Sequence, residues 1–404
     1  LDIPVDMTRG AGALRTWLTF SRNELTEAVA DLQLSEVKTR LRKDLPQLDL
    51  NQLAGRLAWK QLSDRFEFSA TKLSLASGDA VLPPADLIVR VARDKQGKNV
   101  GELHANALTL VPLVNLADRL PLDQQLRTTL VELAPRGTVN DLYMTWKGDW
   151  PAPETYSVRG RFDGLAFNRR GKLPGADKGG TLQLTGQRTG LDLPEVFASP
   201  LVLDTVSAQI AWTRSAERFE LRLGNVAFAN PDAAGTLSGS YHSASQRRGD
   251  IDLTGALTRA DARSVARYVP ITVLKASRPW LERALVAGHS KDVRFRMKGR
   301  LDDFPFRDDK QGLFHVHAKV AGGTLDYAER WPRIENMEGD LQFRGTRMEF
   351  TARRGTINSV QLSKVQGEIS DLTARTELLT ISGEADGATA DFLAFIAGSP
   401  VTGM

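Results

Sequence analysis

The chain has no cysteine in 404 residues, which excludes a disulfide framework, a thiol nucleophile and any cysteine-based zinc site. Histidine is scarce: 5 scattered copies form no evident triad, and there is no glycine-rich phosphate loop with lysine, no nucleophile elbow and no HExxH pair. The enzyme classes built on those residues are set aside, and the expectation is a non-enzyme without cofactor or metal. No run of about 18 apolar residues occurs, so no membrane-spanning helix is expected in these residues, and no signal peptide is visible. The net charge is only +4, with the basic residues spread along the chain rather than gathered in a run, which argues against a nucleic-acid partner. The start at Leu1 without a methionine and the stop at Met404 after "SPVTG" read as a segment of something longer, with any anchor outside it.

What the chain does have is alternation. In "DVRFRMKG" from Asp292, Val293, Phe295 and Met297 point one way while Arg294, Arg296 and Lys298 point the other, as in a strand with one dry and one wet face. It also has repeats. "LAWKQLSDRFEFSATKLSLASGDA" from Leu57 aligns without a gap on "IAWTRSAERFELRLGNVAFANPDA" from Ile210, placing Trp59 on Trp212 and Phe66 on Phe219. Three further stretches ending at Pro121, Pro270 and Pro400 carry apolar residues at helical spacing, with Thr109, Thr258 and Asp386 as candidate N-caps. A second short helix follows the first two of them, in "DQQLRTTLVELAPRG" and "SRPWLERALVAG", and then "GTVNDLYMTWKG" matches "GHSKDVRFRMKG".

About sixteen strands are expected. The predicted fold is mainly β: an elongated repeat array of antiparallel strands curled around an apolar groove, with short amphipathic helices between repeats. The repeats divide the chain into a partial repeat at 1–50, a first β/helix segment at 51–122, a second β repeat with closing helix at 123–271 and a third at 272–404. Periodicity alone leaves a filled β-sandwich core open as the alternative.

The stretches "RYVPITVLKASRPWLERALVAG", "GRLDDFPF", "GLFHVHAKVAGGTLDYAERWPRIENMEGDLQFRG" and "ADFLAFIAGSP", with "RGAGALRTWLTF" and "LTEAVADLQLSEVKTRL" near the start, together resemble the YhdP branch of the AsmA-like proteins. The resemblance covers essentially the whole chain. It implies a central periplasmic segment of an inner-membrane-anchored envelope protein, with β-structure folded like a taco around a hydrophobic groove. It further implies carriage of phospholipid between inner and outer membranes in support of the outer-membrane barrier, through membrane-end parts of a full-length protein that are absent here. A structural or docking scaffold in the cell envelope, with a filled core and no lipid, is the alternative. The groove-lining candidates are Val293, Phe295, Met297, Leu142, Met144, Trp146, Phe314, Val316, Leu341, Phe343, Met348, Phe350, Phe219, Leu221 and Leu223.

Two clusters invite a metal reading. His315 and His317 share one side of "FHVHAKV" but have no third ligand nearby in sequence. Asp302, Asp303, Asp308 and Asp309 flank "FPFR" without the spacing of a calcium loop, so they read as turn residues, with Phe304 and Phe306 plugging the groove edge.

Overall fold

The computed structural model describes residues 6–120, 122–150, 153–166, 179–191, 197–215, 218–244, 247–271, 278–308, 310–376 and 378–400. The chain divides into two units, Leu1–Asp192 with Val202–Ser215, and Leu193–Leu201 with Ala216–Met404.

In the first unit the chain runs up and down through β1 (Asp6–Ser21), β2 (Glu24–Arg40), β3 (Leu48–Gln61), β4 (Arg65–Ser77), β5 (Ala80–Arg93) and β6 (Asn99–Thr109). Helices α1 (Leu110–Leu116) and α2 (Gln124–Leu133) follow, then β7 (Arg136–Lys147), β8 (Thr155–Ala166), β9 (Gly179–Leu191) and β10 (Leu201–Arg214). Each strand from β1 to β7 pairs antiparallel with the next. The tight β1–β2 hairpin uses positive φ at both Arg22 and Asn23, the backbone twist that two-residue hairpins favour.

One pairing departs from the expected array: β8 and β9 run parallel, from Thr155 opposite Gly179 to Asp163 opposite Gln187. Parallel neighbours need a crossover of about a dozen residues rather than a tight turn. Residues 167–178, which join the two strands, lie outside the described set.

The second unit holds β11 (Phe219–Ala229), β12 (Ala233–Ala244) and β13 (Arg247–Asp261), then α3 (Val265–Tyr268) and α4 (Arg278–Ala284). It continues with β14 (Leu285–Ser290), β15 (Val293–Arg300), β16 (Gly312–Leu325), β17 (Ile334–Arg344), β18 (Arg347–Ile357), β19 (Val360–Ile369), β20 (Leu379–Asp386) and α5 (Thr389–Ala397). Strands β14 and β15 both lie between β13 and β16, so they act as one strand interrupted at Lys291 and Asp292. Twenty strands are thus present among the described residues, against about sixteen expected, because the long N-terminal strands and this interrupted one are hard to count from alternation.

Helices α1 and α2 lie where β6 ends and β7 begins in the first unit, α3 and α4 where β13 ends and β14 begins in the second, and α5 follows β20, so the strands of each unit have a helix end and a hairpin end. Full burial in the first unit concentrates at its helix end, where Leu116 of α1, 1% exposed, packs with Val37, Leu48, Leu50 and Ala80. In the second unit Ala233, Ala266 and Ala284 are buried, and the buried Asn230 donates to the Tyr268 hydroxyl at 2.7 Å.

Of the three N-caps expected, only Thr109 stands at one, and its side chain makes no capping bond. Thr258 stays extended because β13 continues to Asp261, which caps the turn that follows by accepting from the Arg263 N–H; Asp386 is the last residue of β20.

Candidate functional site

Strand register decides which side chains share a face, since one residue of slip would turn every side chain over. In the second unit Phe295 lies opposite Val316, which lies opposite Phe343, which lies opposite Met348. Parallel to that row run Met297 with Phe314, and Ala318 with Leu341 and Phe350. On the other side Val293, Phe295 and Met297 face Leu257, Gly255 and Leu253. Through β12 the face continues to Leu223, opposite Gly239, and Leu221, opposite Tyr241. Phe219 has the same parity, and its backbone N–H donates to the Ser243 hydroxyl.

In the first unit Leu142, Met144 and Trp146 lie opposite Ala105, Leu103 and Gly101. The row extends through Leu87, Val89 and Val91 of β5 to Phe66 and Phe68 of β4 and Trp59 of β3, and on the other side to Tyr156 and Val158 of β8. These first-unit residues carry the same period-two signal as the predicted ones, and applying it to every strand finds them.

All fifteen candidates therefore sit on the apolar face of the strands in one unit or the other. Only Trp146, 9% exposed, is buried; the other fourteen are half-buried. A sandwich would seal such positions between two sheets packed about 10 Å apart.

At the hairpin end of the first unit the face carries a row of large aromatics. Trp150 packs edge-on to Trp146 with centroids 5.7 Å apart, and Tyr156 packs edge-on to Trp212 at 5.3 Å. The rings lie over glycine: a Cβ on Gly101 would stand 2.0 Å from Trp146 Cζ2, and one on Gly180 would stand 2.5 Å from Trp212 Cζ2. A bare backbone is thus required for the indoles to lie flat on the sheet. Burial pushes the Tyr156 phenol up from its ordinary value. In the second unit Phe304 lies 5.3 Å from Phe314 and 5.7 Å from Phe306, and Phe306, 2% exposed, fills the space over Gly299 and Gly312.

The opposite face is laced by cross-strand ion pairs. Arg90 bridges Glu67 at 2.7 Å and Glu102 at 2.9 Å, and Arg296 pairs with Asp252, whose carboxyl is held below its usual value chiefly by that guanidinium. One hollow of the first unit, about 410 Å³ among Arg90, Glu102, His104, Asp141, Tyr143 and Arg159, opens on this face; a second, about 1030 Å³, is bordered by Glu67, Thr145 and Thr181 and also by Trp146, Tyr156 and Trp212 of the aromatic row. The charged groups of the smaller hollow suit water or a polar molecule rather than an acyl chain.

His315 and His317 are on the polar face as well. His317 Nε2 is 3.1 Å from Asp340 and His315 Nε2 is 2.6 Å from the Gln342 amide, while burial, with help from Arg344 and His317, pushes His315 down. No group of three metal-ligating side chains exists among the described residues. Asp303 pairs with Arg300 at 2.8 Å and Asp308 accepts the Lys310 and Gln311 backbone N–H groups, so both serve their turn; Asp309 lies outside the described residues.

No described helix is long and apolar enough to cross a membrane. No curated protein and no solved structure matches the chain. The family model described as "YhdP protein" matches residues 3–404, and the chain, whose strands show the expected mainly β array, belongs to the YhdP protein family.

Proposed function

We propose that the apolar faces shield phospholipid acyl chains from water, making this chain a segment of a periplasmic lipid-transfer bridge between inner and outer membranes, tethered to the inner membrane through parts outside it. Membership of the YhdP family supports a role in AsmA-like lipid transport. The observation that carries the reading is the half-buried apolar face, to which every strand from β3 to β8 in one unit, and β11 to β13 with β15 to β18 in the other, contributes.

The physical need is large. Each methylene moved from hydrocarbon into water costs about 0.8 kcal/mol, so a diacyl lipid with about thirty of them faces about 25 kcal/mol on leaving a bilayer unaided. A row such as Phe295–Val316–Phe343–Met348 replaces bilayer interior at little loss. Such a role needs no catalytic group, cofactor or nucleic-acid partner.

The test is native mass spectrometry with organic extraction on the chain purified without detergent from bacterial envelopes. Co-purifying phospholipid that is lost on Phe295→Asp with Met297→Asp is the expected result. A folded chain that carries no lipid would overturn the reading and leave an envelope scaffold in its place.

A further inference from the structure

The two ends of the first unit's apolar face differ chemically. At the helix end it closes on aliphatic side chains: Val37, Leu48 and Leu50 are buried against Leu116, and Leu165 at the end of β8 is 5% exposed. At the hairpin end it finishes in Trp150, Trp146, Tyr156 and Trp212. Tryptophan and tyrosine join an apolar ring to a single polar N–H or O–H, the combination enriched where hydrocarbon meets water. Lys98 and Lys147 stand beside the same turns, paired with Glu154 and Asp94, their side chains 43% and 39% exposed. The span also fits: from Tyr156 to Phe162 along β8 is six rises, about 20 Å, close to the hydrocarbon depth of one leaflet, about 15 Å.

We propose that the aromatic end of this face seats the glycerol and phosphate region of a diacyl lipid whose chains run along the strands toward the helix end, an inference that rests on the acyl-shielding reading above. The lipid lies across the sheet, with its phosphate at the hairpin turns beyond Trp146 and Tyr156 and its terminal methyls toward Phe162 and the α1 core. Gly101 and Gly180 are what allow Trp146 and Trp212 to lie low enough for the lipid to pass over them.

Photo-crosslinking separates the possibilities. The intact chain is loaded with phosphatidylcholine carrying a diazirine either on the headgroup or at the acyl terminus, and the adducts are mapped by mass spectrometry. The headgroup probe is expected on Trp146, Trp150, Tyr156 and Trp212, and the acyl-terminal probe on Leu87, Leu142 and Phe162. A reversed pattern, or the same even distribution for both probes, would overturn the orientation while leaving acyl shielding intact. Failure of both probes to label the apolar face would overturn acyl shielding itself, and the orientation with it.

Discussion

Phe295 and Val316 face each other across β15 and β16, and each is only half-buried. A charge placed there keeps water on its open side, so the several-kcal/mol penalty of an unpaired buried carboxylate does not apply. The double variant Phe295→Asp, Val316→Asp is therefore expected to retain its far-UV circular dichroism, and unfolding of the second unit would show that the face is a sealed core. Gly101 behaves in the opposite way. Its missing Cβ would stand 2.0 Å from the Trp146 ring, so Gly101→Ala forces the indole off the sheet. A cost of about 1–3 kcal/mol is expected from such overpacking, read as a lowered melting temperature with red-shifted tryptophan emission. Trp146→Leu in the same chain should restore part of the loss. The strand position of Trp146 was legible from alternation, but its partner was not, because only the register of β6 against β7 brings Gly101 beneath it.

Among the elements, the strands were the most legible part of the fold, because a half-wet face writes itself into the sequence every second residue. Direction was not: period two is the same for parallel and antiparallel neighbours, so nothing in "GTLQLTG" announced that β9 runs alongside β8. Helix starts were also misplaced, since Thr258 looks like a cap locally yet is held extended by pairing of β13 with β12. The helices themselves differ in how they are held. Leu116 of α1 is 1% exposed, whereas Leu393 of α5 is 61% exposed. Leu116→Ala is expected to destabilise the first unit by about 2–5 kcal/mol, while Leu393→Ala should fall within about 0.5 kcal/mol of the parent, both measured by denaturant titration. Equal effects would mean that α1 does not close the helix end of its sheet.

At the scale of the molecule, acid should weaken the fold. Asp252 and Asp261 are held below the ordinary carboxylate value, chiefly by Arg296 and Arg263. A carboxyl with a lowered folded value contributes stability that is present above its unfolded value and lost as pH falls through the folded one. Stability should therefore hold near neutrality and decline below about pH 4, with Asp252→Asn flattening the decline; a melting temperature unchanged from pH 6 to pH 3 would refute the linkage. The half-buried apolar face has a further, calorimetric consequence. A compact chain of 404 residues would unfold with a heat-capacity rise of about 5–6 kcal/mol/K. Side chains that already meet water in the native state add little when the chain opens, so the measured rise should be smaller, and the slope of stability against urea should be shallow for this length. Acyl chains laid on the face would be released on unfolding, and the heat-capacity change of the loaded protein should rise toward that of an ordinary globular chain.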